Sequence, residues 1–309
     1  MDYWTHGSHM INTNPKSLLA RASSFWRSYS RNRGALFAFF FLVALILAAL
    51  LANYLFPGDI EAPNIGNEML PPSLSNLLGT DYLGRDQLAL LVFGARTSLI
   101  VAFAAGGLLA IVGTMAGLLA GYFGGRTEGL IMRIADVFLT IPILPLILVI
   151  VSFATPNLLN VMFAIGLTGW PVMARVVRSD SLALMKREFV EIERVMGASS
   201  ARILFKHLLP NQLNSILVYA SLSIPAVILT EASLEFLGLT PLSVSWGFML
   251  NVSMSYWIRG TWWMSFFPGF AIFMTALSFY FVSEGLKEAL NPKLKRRRES
   301  LAVQVAERK

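Results

Sequence analysis

The chain contains no cysteine and only three histidines, and Asp, Glu, Lys and Arg together make up 14% of its 309 residues. Without thiols there can be no disulfide staple, no thiolate nucleophile and no zinc-thiolate centre. Two of the histidines, His6 and His9, fall in the opening MDYWTHGSHM; Gly7 to Met10 reads as a cloning scar, and residues 1–10 are set aside. The third, His207, follows Lys206 with no second histidine at a metal-ligand spacing, so it reads as a surface or interface residue. A Gly-Lys-Ser/Thr phosphate loop is missing throughout, which excludes a Walker-type nucleotide site in this polypeptide. The shortage of charge is the most restrictive absence, because a soluble domain carries roughly a quarter charged residues.

What fills the sequence instead is apolar: 55% of the residues are hydrophobic, and they come in long blocks of the length that crosses a bilayer. The first block, Gly34 to Ala52, holds no charge and is flanked by Arg31 and Arg33 before it and Pro57 and Asp59 after it. Further spans are predicted at Ser98 to Tyr122, Ile134 to Phe153, Leu158 to Met173, Ser215 to Leu229 and Trp263 to Val282. The fold class is therefore an all-α integral membrane protein with about six transmembrane helices. The net charge of +7 reads as the basic bias of cytoplasmic segments rather than as a nucleic-acid surface.

Basic residues also orient the spans. Lys16, Arg21, Arg27, Arg31 and Arg33 place the 11–33 tail in the cytoplasm, and Asp59, Glu61, Glu68, Asp81 and Asp86 dominate a loop at 57–97 that reads as external. Arg126 and Arg133 mark an internal turn, Pro156 to Leu159 an external link, Arg175 to Lys206 an internal stretch and Glu231 to Arg259 an external loop. The 284–309 tail, with Lys293 and Lys295 to Arg298, returns to the cytoplasm. It can serve as a topology anchor or as a patch for anionic lipid. The first span occupies 34–56 and the remaining core 98–283, with both termini inside.

Asp180 to Pro210 breaks the apolar pattern. Leu182, Met185, Phe189, Ile192 and Met196 recur at helical spacing, charges fill the other face, and Gly197 interrupts. Ala198, Ser199 and Ser200 can cap a second short helix running through Ile203, Leu204 and Leu208 to Pro210. Periodicity alone leaves three readings: a helix lying on lipid, a solvated connection, or a compact knob made of two helices joined at a glycine.

The run from Arg187 to Asn211, REFVEIERVMGASSARILFKHLLPN, resembles the EAA loop of ATP-binding-cassette importer permeases. The matching residues are Glu191, Gly197 six positions later, and the Leu209-Pro210 pair. The family's two alanines after the glutamate are replaced here by Ile192 and Glu193. Three more stretches narrow the resemblance: LGTDYLGRDQLALLVFGARTSL from Leu78, EASLEFLGL from Glu231 with SWGFML from Ser245, and GLKEALNPKLK from Gly285. Together they resemble the C-type permease of the dipeptide, oligopeptide and nickel importers, in that family's order and over nearly the whole chain after Leu18.

The resemblance implies a type I importer fold in a bacterial or archaeal cell (inner) membrane. It also implies a coupling loop at 180–210 whose Glu188, Glu191, Arg194, Gly197, Ala198, Ser199, Leu209 and Pro210 engage an ATPase subunit. Implied partners are a B-type permease, two ATP-binding subunits that hold ATP and Mg, an extracytoplasmic binding protein and membrane lipid. This chain would then be a permease without catalytic, metal or cofactor residues of its own, carrying short peptides; oligosaccharides or nickel are the alternatives within the family. Trp246, Tyr256, Trp257, Trp262 and Trp263 could stack on sugars, although aromatic residues are common at membrane interfaces. An ion-driven transporter would place a charge at mid-membrane, whereas Asp136 is expected at a cytoplasmic entrance and Glu231 at an external exit. Pro142, Pro145, Pro171, Pro225 and Pro268 are candidate kinks, and Ala104, Ala105, Gly106, Gly107, Gly113 and Gly117 suit close helix packing.

Overall fold

The computed structural model describes residues 23, 25–153, 157–239 and 244–290. The 1–10 scar, Lys16, Arg21, Pro156 and the basic run Lys293 to Arg298 lie outside them. Among the described residues the architecture is helical throughout, with one isolated β-bridge between Thr80 and Asp86. Five helices are long and apolar enough to cross a membrane, and a bent pair supplies a sixth crossing if it is counted as one span.

Helix α1 spans Arg33–Leu50, with the Asn32 side chain accepting the Ala35 N–H at its start, and one further turn follows at Ala52–Leu55. Helix α2 covers Gln87–Phe123 and is capped by Asp86. Its 37 residues are about 55 Å of helix at 1.5 Å per residue, well beyond a bilayer core. The stretch 57–97 that reads as an external loop is helical at its C-terminal end, where the Asp86 cap starts the helix at Gln87.

The predicted span Ile134 to Phe153 is not one helix. Helix α3, Gly125–Thr140, and helix α4, Ile143–Ser152, meet at an angle of 95°. Ile141 is extended and Pro142 stands as the N-cap of α4, as expected where a proline forces its predecessor out of the helical region. By contrast, Pro171, Pro225 and Pro268 lie inside helices that continue past them.

Helix α5 runs Leu158–Met185 and helix α6 Glu188–Val195. Helix α7 then extends over Ser200–Phe236, α8 over Trp246–Met254 and α9 over Trp262–Leu290. The expected short helix ending at Pro210 is the start of α7, which runs straight on into the membrane. A π-helical turn at Ile203–Leu208 precedes Pro210, with the Leu209 N–H donating to the Leu204 carbonyl; the wider turn accommodates a proline that cannot donate to the preceding turn. Likewise α9 continues to Leu290, through the first residues of the stretch 284–309 that reads as a tail.

Glycine permits a close contact between two long helices. A Cβ on Gly113, Gly117 or Gly121 would lie 2.5, 2.6 or 2.4 Å from Met173, Ala174 and Ser181 respectively, so α2 and α5 run parallel along a stripe of small residues. Gly113 and Gly117 bear out the sequence expectation. Gly107 has open space beside it, and Gly121 extends the seam a turn further than the sequence reading placed it.

Two of the three further stretches in the resemblance, those from Leu78 and from Ser245, meet at the other end of the bundle. Asp81 accepts the Leu83 and Arg85 N–H groups at 2.9 Å and pairs with the Arg85 guanidinium at 2.6 Å. Trp263 donates to the Thr80 carbonyl at 3.0 Å and Trp246 to that of Leu91 at 2.9 Å. These two indoles are buried and their N–H groups serve the backbone, which takes them out of the set that could face a sugar.

Glu231 was expected in a loop, but α7 extends past it and buries it together with Glu235. Ser98 donates to Glu231 at 3.2 Å, and Ser245 donates to Glu235. The remaining oxygens, Glu231 Oε2 and Glu235 Oε1, have no donor among the described residues. Replacing Glu231 by Gln keeps an acceptor for Ser98 and adds an N–H₂ facing the second acid. This should raise stability by about 1 kcal/mol, the value of one buried hydrogen bond restored. Thermal unfolding in detergent checks it, and a lower midpoint for E231Q would count against this account.

Candidate functional site

At the end of the bundle where α2 stops, the chain builds a knob from Lys186 to Ser199. Leu184 and Met185 end α5, and Arg187 opens α6 in an extended conformation. Gly197 follows α6 with φ +76°, a left-handed conformation that disfavours side chains with a Cβ. Ser199 then caps α7 by accepting the Arg202 N–H at 3.3 Å, the cap that the Ala-Ser-Ser run predicted.

The knob is rooted in the bundle by a single apolar residue of α6. Val190 is buried in one apolar cluster with Leu118, Val177, Ile203, Leu204 and Leu208, residues contributed by α2, α5 and α7. Polar contacts support it: Arg194 lies 5.9 Å over the Tyr122 ring, Tyr122 bonds Ser200 at 3.1 Å, and Glu193 sits 3.5 Å from His207. His207 thus belongs to an internal joint of the knob.

The expected apolar stripe is divided. Leu182 and Met185 belong to α5, while Ile192, Val195 and Met196 point outward at 58, 84 and 79% exposure. Glu188 and Glu191 flank that outward face, exposed, and form no ion pair among the described residues. Arg194, Gly197 and Ser199 are also exposed, and Ala198 is half-buried. Leu209 and Pro210 are set apart from them: they lie inside α7 beyond the π turn, with Leu209 packed on the Val190 cluster. The structure thus brings six of the eight sequence-predicted residues onto the knob, and Leu209 and Pro210 support it from behind.

A groove of 330 Å³ runs up from this end between α5 and α7, lined by Ile165, Gly169, Val172, Val176, Tyr219 and Thr230 among others. It contains no charged side chain. Between groove and knob stand two ion pairs that join α3 to α5: Asp136 with Arg175 at 2.5 Å, and Glu128 with Arg178 through both Nε and Nη2. Sequence reading counted these arginines only for orientation; the alternation of opposite charges on neighbouring spans was the signal that could have paired them.

The profile of the binding-protein-dependent transport system inner membrane component family matches residues 113–296, and that of the N-terminal transmembrane domain of oligopeptide transport permease C matches residues 21–72. The chain belongs to the first of these families.

Relatives of the permease align over nearly its full length. It is 37% identical to the dipeptide transport system permease protein of Bacillus subtilis, across 88% of this chain and 85% of that one. It is 36% identical to the same organism's oligopeptide transport system permease protein, across 89% and 92%. The glutathione transport system permease protein of Pectobacterium atrosepticum is 38% identical, across 91% and 94%. Among solved structures, an inward-facing MetNI methionine ABC transporter superposes with a TM-score of 0.52 at 20% identity, covering 65% of this chain and 96% of its own; this similarity concerns the fold alone. The permease is a multi-pass inner-membrane component with a type I importer fold.

Proposed function

We propose that the permease forms half of the translocation pathway of an ATP-driven importer of short peptides, and that the knob couples this pathway to separate ATPase subunits. The observation that carries the coupling role is the outward face of α6. Three large apolar side chains, Ile192, Val195 and Met196, stand in the open beside two unpaired acids, on a segment anchored through Val190 to three spans at once. A partner surface with an apolar groove and a basic rim would cover it, and movement of that partner would be passed directly to α2, α5 and α7. Glu188, Glu191, Arg194, Gly197, Ala198 and Ser199 would make this contact, with Leu209 and Pro210 holding the base of α7.

In this reading the knob end is cytoplasmic, together with both termini, and the Asp81 loop faces outward. The basic residues Lys186, Arg187, Arg194, Arg202 and Lys206 around the knob support that orientation. The residues of this chain do not fit a nucleotide site, because no phosphate loop is present; ATP and Mg would be held by the two partner ATPases. A homologous B-type permease would complete the pathway, and an extracytoplasmic binding protein would deliver the cargo. Peptide cargo is supported by relatives named for dipeptide, oligopeptide and glutathione transport. ATP binding would close the ATPases, move the knobs and open the groove outward; hydrolysis would reset them.

Gly197 offers a clean test, because a Cβ there meets nothing within 4 Å inside the chain. Asparagine tolerates the left-handed conformation but adds a side chain, whereas alanine adds mainly backbone strain of about 1 kcal/mol. If the knob docks, Gly197→Asn should reduce substrate-stimulated ATPase activity of the reconstituted complex more than Gly197→Ala does. Undisturbed coupled transport in both variants would sink the coupling role.

A further inference from the structure

We infer that Arg175 and Asp136 form a charge-exchange station for the two ends of a zwitterionic peptide, at the point where the groove opens toward the knob. The inference rests on the peptide-importer reading above. Four observations converge on it.

First, the pair is half exposed, with side-chain exposures of 51% for Arg175 and 56% for Asp136, next to the outward apolar side chains of Val137 and Val172. At the entrance end of a span such charges face water or a protein partner rather than lipid, contact with which costs several kcal/mol. Second, the cleft beside the pair, 430 Å³ lined also by Gly125, Glu128, Gly129, Met132 and Arg178, is open on its glycine side: neither Gly125 nor Gly129 has a neighbour within 4 Å of a Cβ position. Third, Arg175 lies between Val172 and Val176, both of which line the uncharged groove, so the pair stands level with the groove's last residue on α5 and cargo leaving the groove passes it on the way to the knob. Fourth, the second pair is the more enclosed, Arg178 being 33% and Glu128 23% exposed with two guanidinium bonds to one carboxylate oxygen. It holds α3 against α5, and that leaves Arg175 and Asp136 free to change partners.

The exchange conserves charge. A peptide carboxylate takes the Arg175 guanidinium, the peptide ammonium takes Asp136, and the two side chains re-pair when the peptide leaves. No charge is stranded at either stage, so a zwitterion passes without the penalty that an isolated charge would meet in a low-dielectric passage. Cargo with one end capped satisfies only one partner and leaves the other exposed.

The test uses the assembled importer with its binding protein in proteoliposomes and measures ATP-driven uptake of a labelled dipeptide, its C-terminal amide and its N-acetyl form. Binding protein and ATPases are identical in every arm, so a change in the free-to-capped ratio between variants belongs to this chain. Arg175→Gln should lower the free-to-amide ratio about tenfold, the size of one lost charge-assisted hydrogen bond, and Arg175→Lys should restore most of it. Asp136→Asn should do the same to the free-to-acetylated ratio. The D136N/R175Q double variant leaves no lone charge and should lose both ratios together. Because each ratio is taken within one preparation, the amount of assembled protein cancels. Ratios that stay at the wild-type value in both single variants overturn the station and assign the pair a purely structural role. A wild-type complex that moves no peptide at all overturns the peptide reading, and the station with it.

Discussion

Replacing Ile192 and Val195 together by aspartate should detach the permease from its ATPase while leaving it folded. Both side chains project from α6 into the open, at 58% and 84% exposure, so carboxylates at these positions are well solvated in the isolated chain. They become costly only when a partner covers them, since each desolvated and unpaired charge is worth several kcal/mol. An affinity loss of about 100-fold or more is expected, because every 1.4 kcal/mol is a factor of ten. Co-purification with the ATP-binding subunits and a binding titration would measure it, and the unfolding midpoint of the permease alone should stay close to wild type. Unchanged ATPase affinity in the double variant would mean that the outward face of α6 is not the docking surface.

The second large effect is expected inside the bundle. Gly117→Leu places a branched side chain where even a Cβ would lie 2.6 Å from the Ala174 carbonyl and from Val177 Cβ. Backbone atoms cannot rotate away, so α2 and α5 must separate along the seam that also includes Gly113 and Gly121. Gly117→Ala should cost about 1–3 kcal/mol by overpacking, and the leucine variant should fail to yield monodisperse protein on size exclusion. Gly107→Ala is the control, because open space surrounds that position and alanine favours a helix over glycine by about 1 kcal/mol; its unfolding midpoint should hold or rise. Equal midpoints for the alanine variants at 107 and 117 would contradict the seam.

These two sites also mark what sequence alone could convey. Long apolar blocks identify membrane helices well because the bilayer imposes a minimum length: five of the six predicted spans fall on long helices and the sixth on the bent pair α3 and α4. The blocks misplace helix ends, since α2, α5 and α7 continue past the apolar layer on polar residues such as Gln87, Ser181 and Gln212, all buried between helices. Glycines 113 and 117 advertised close packing, yet composition could not say that Gly107 would be idle, because that depends on which way each faces. The π turn at Ile203–Leu208 left no trace either: Pro210 looked like a helix terminator, and only the surrounding packing turns it into a wide turn. Arg175 and Asp136 were visible individually, but counting charge by sign to orient loops conceals the pairing of opposite charges across two helices.

At the base of α7, the π turn joins a capped start at Ser199 to a rod that runs without a loop to Phe236. The knob is therefore geared to the membrane by residue count rather than tethered by slack chain. Its angular position about α7 is set by the wider turn, so on the proposed coupling role a push on α6 would arrive at the groove as torque as well as displacement. Tyr219 and Thr230 line the groove from this same rod, and they would swing with it as the spokes of a single crank.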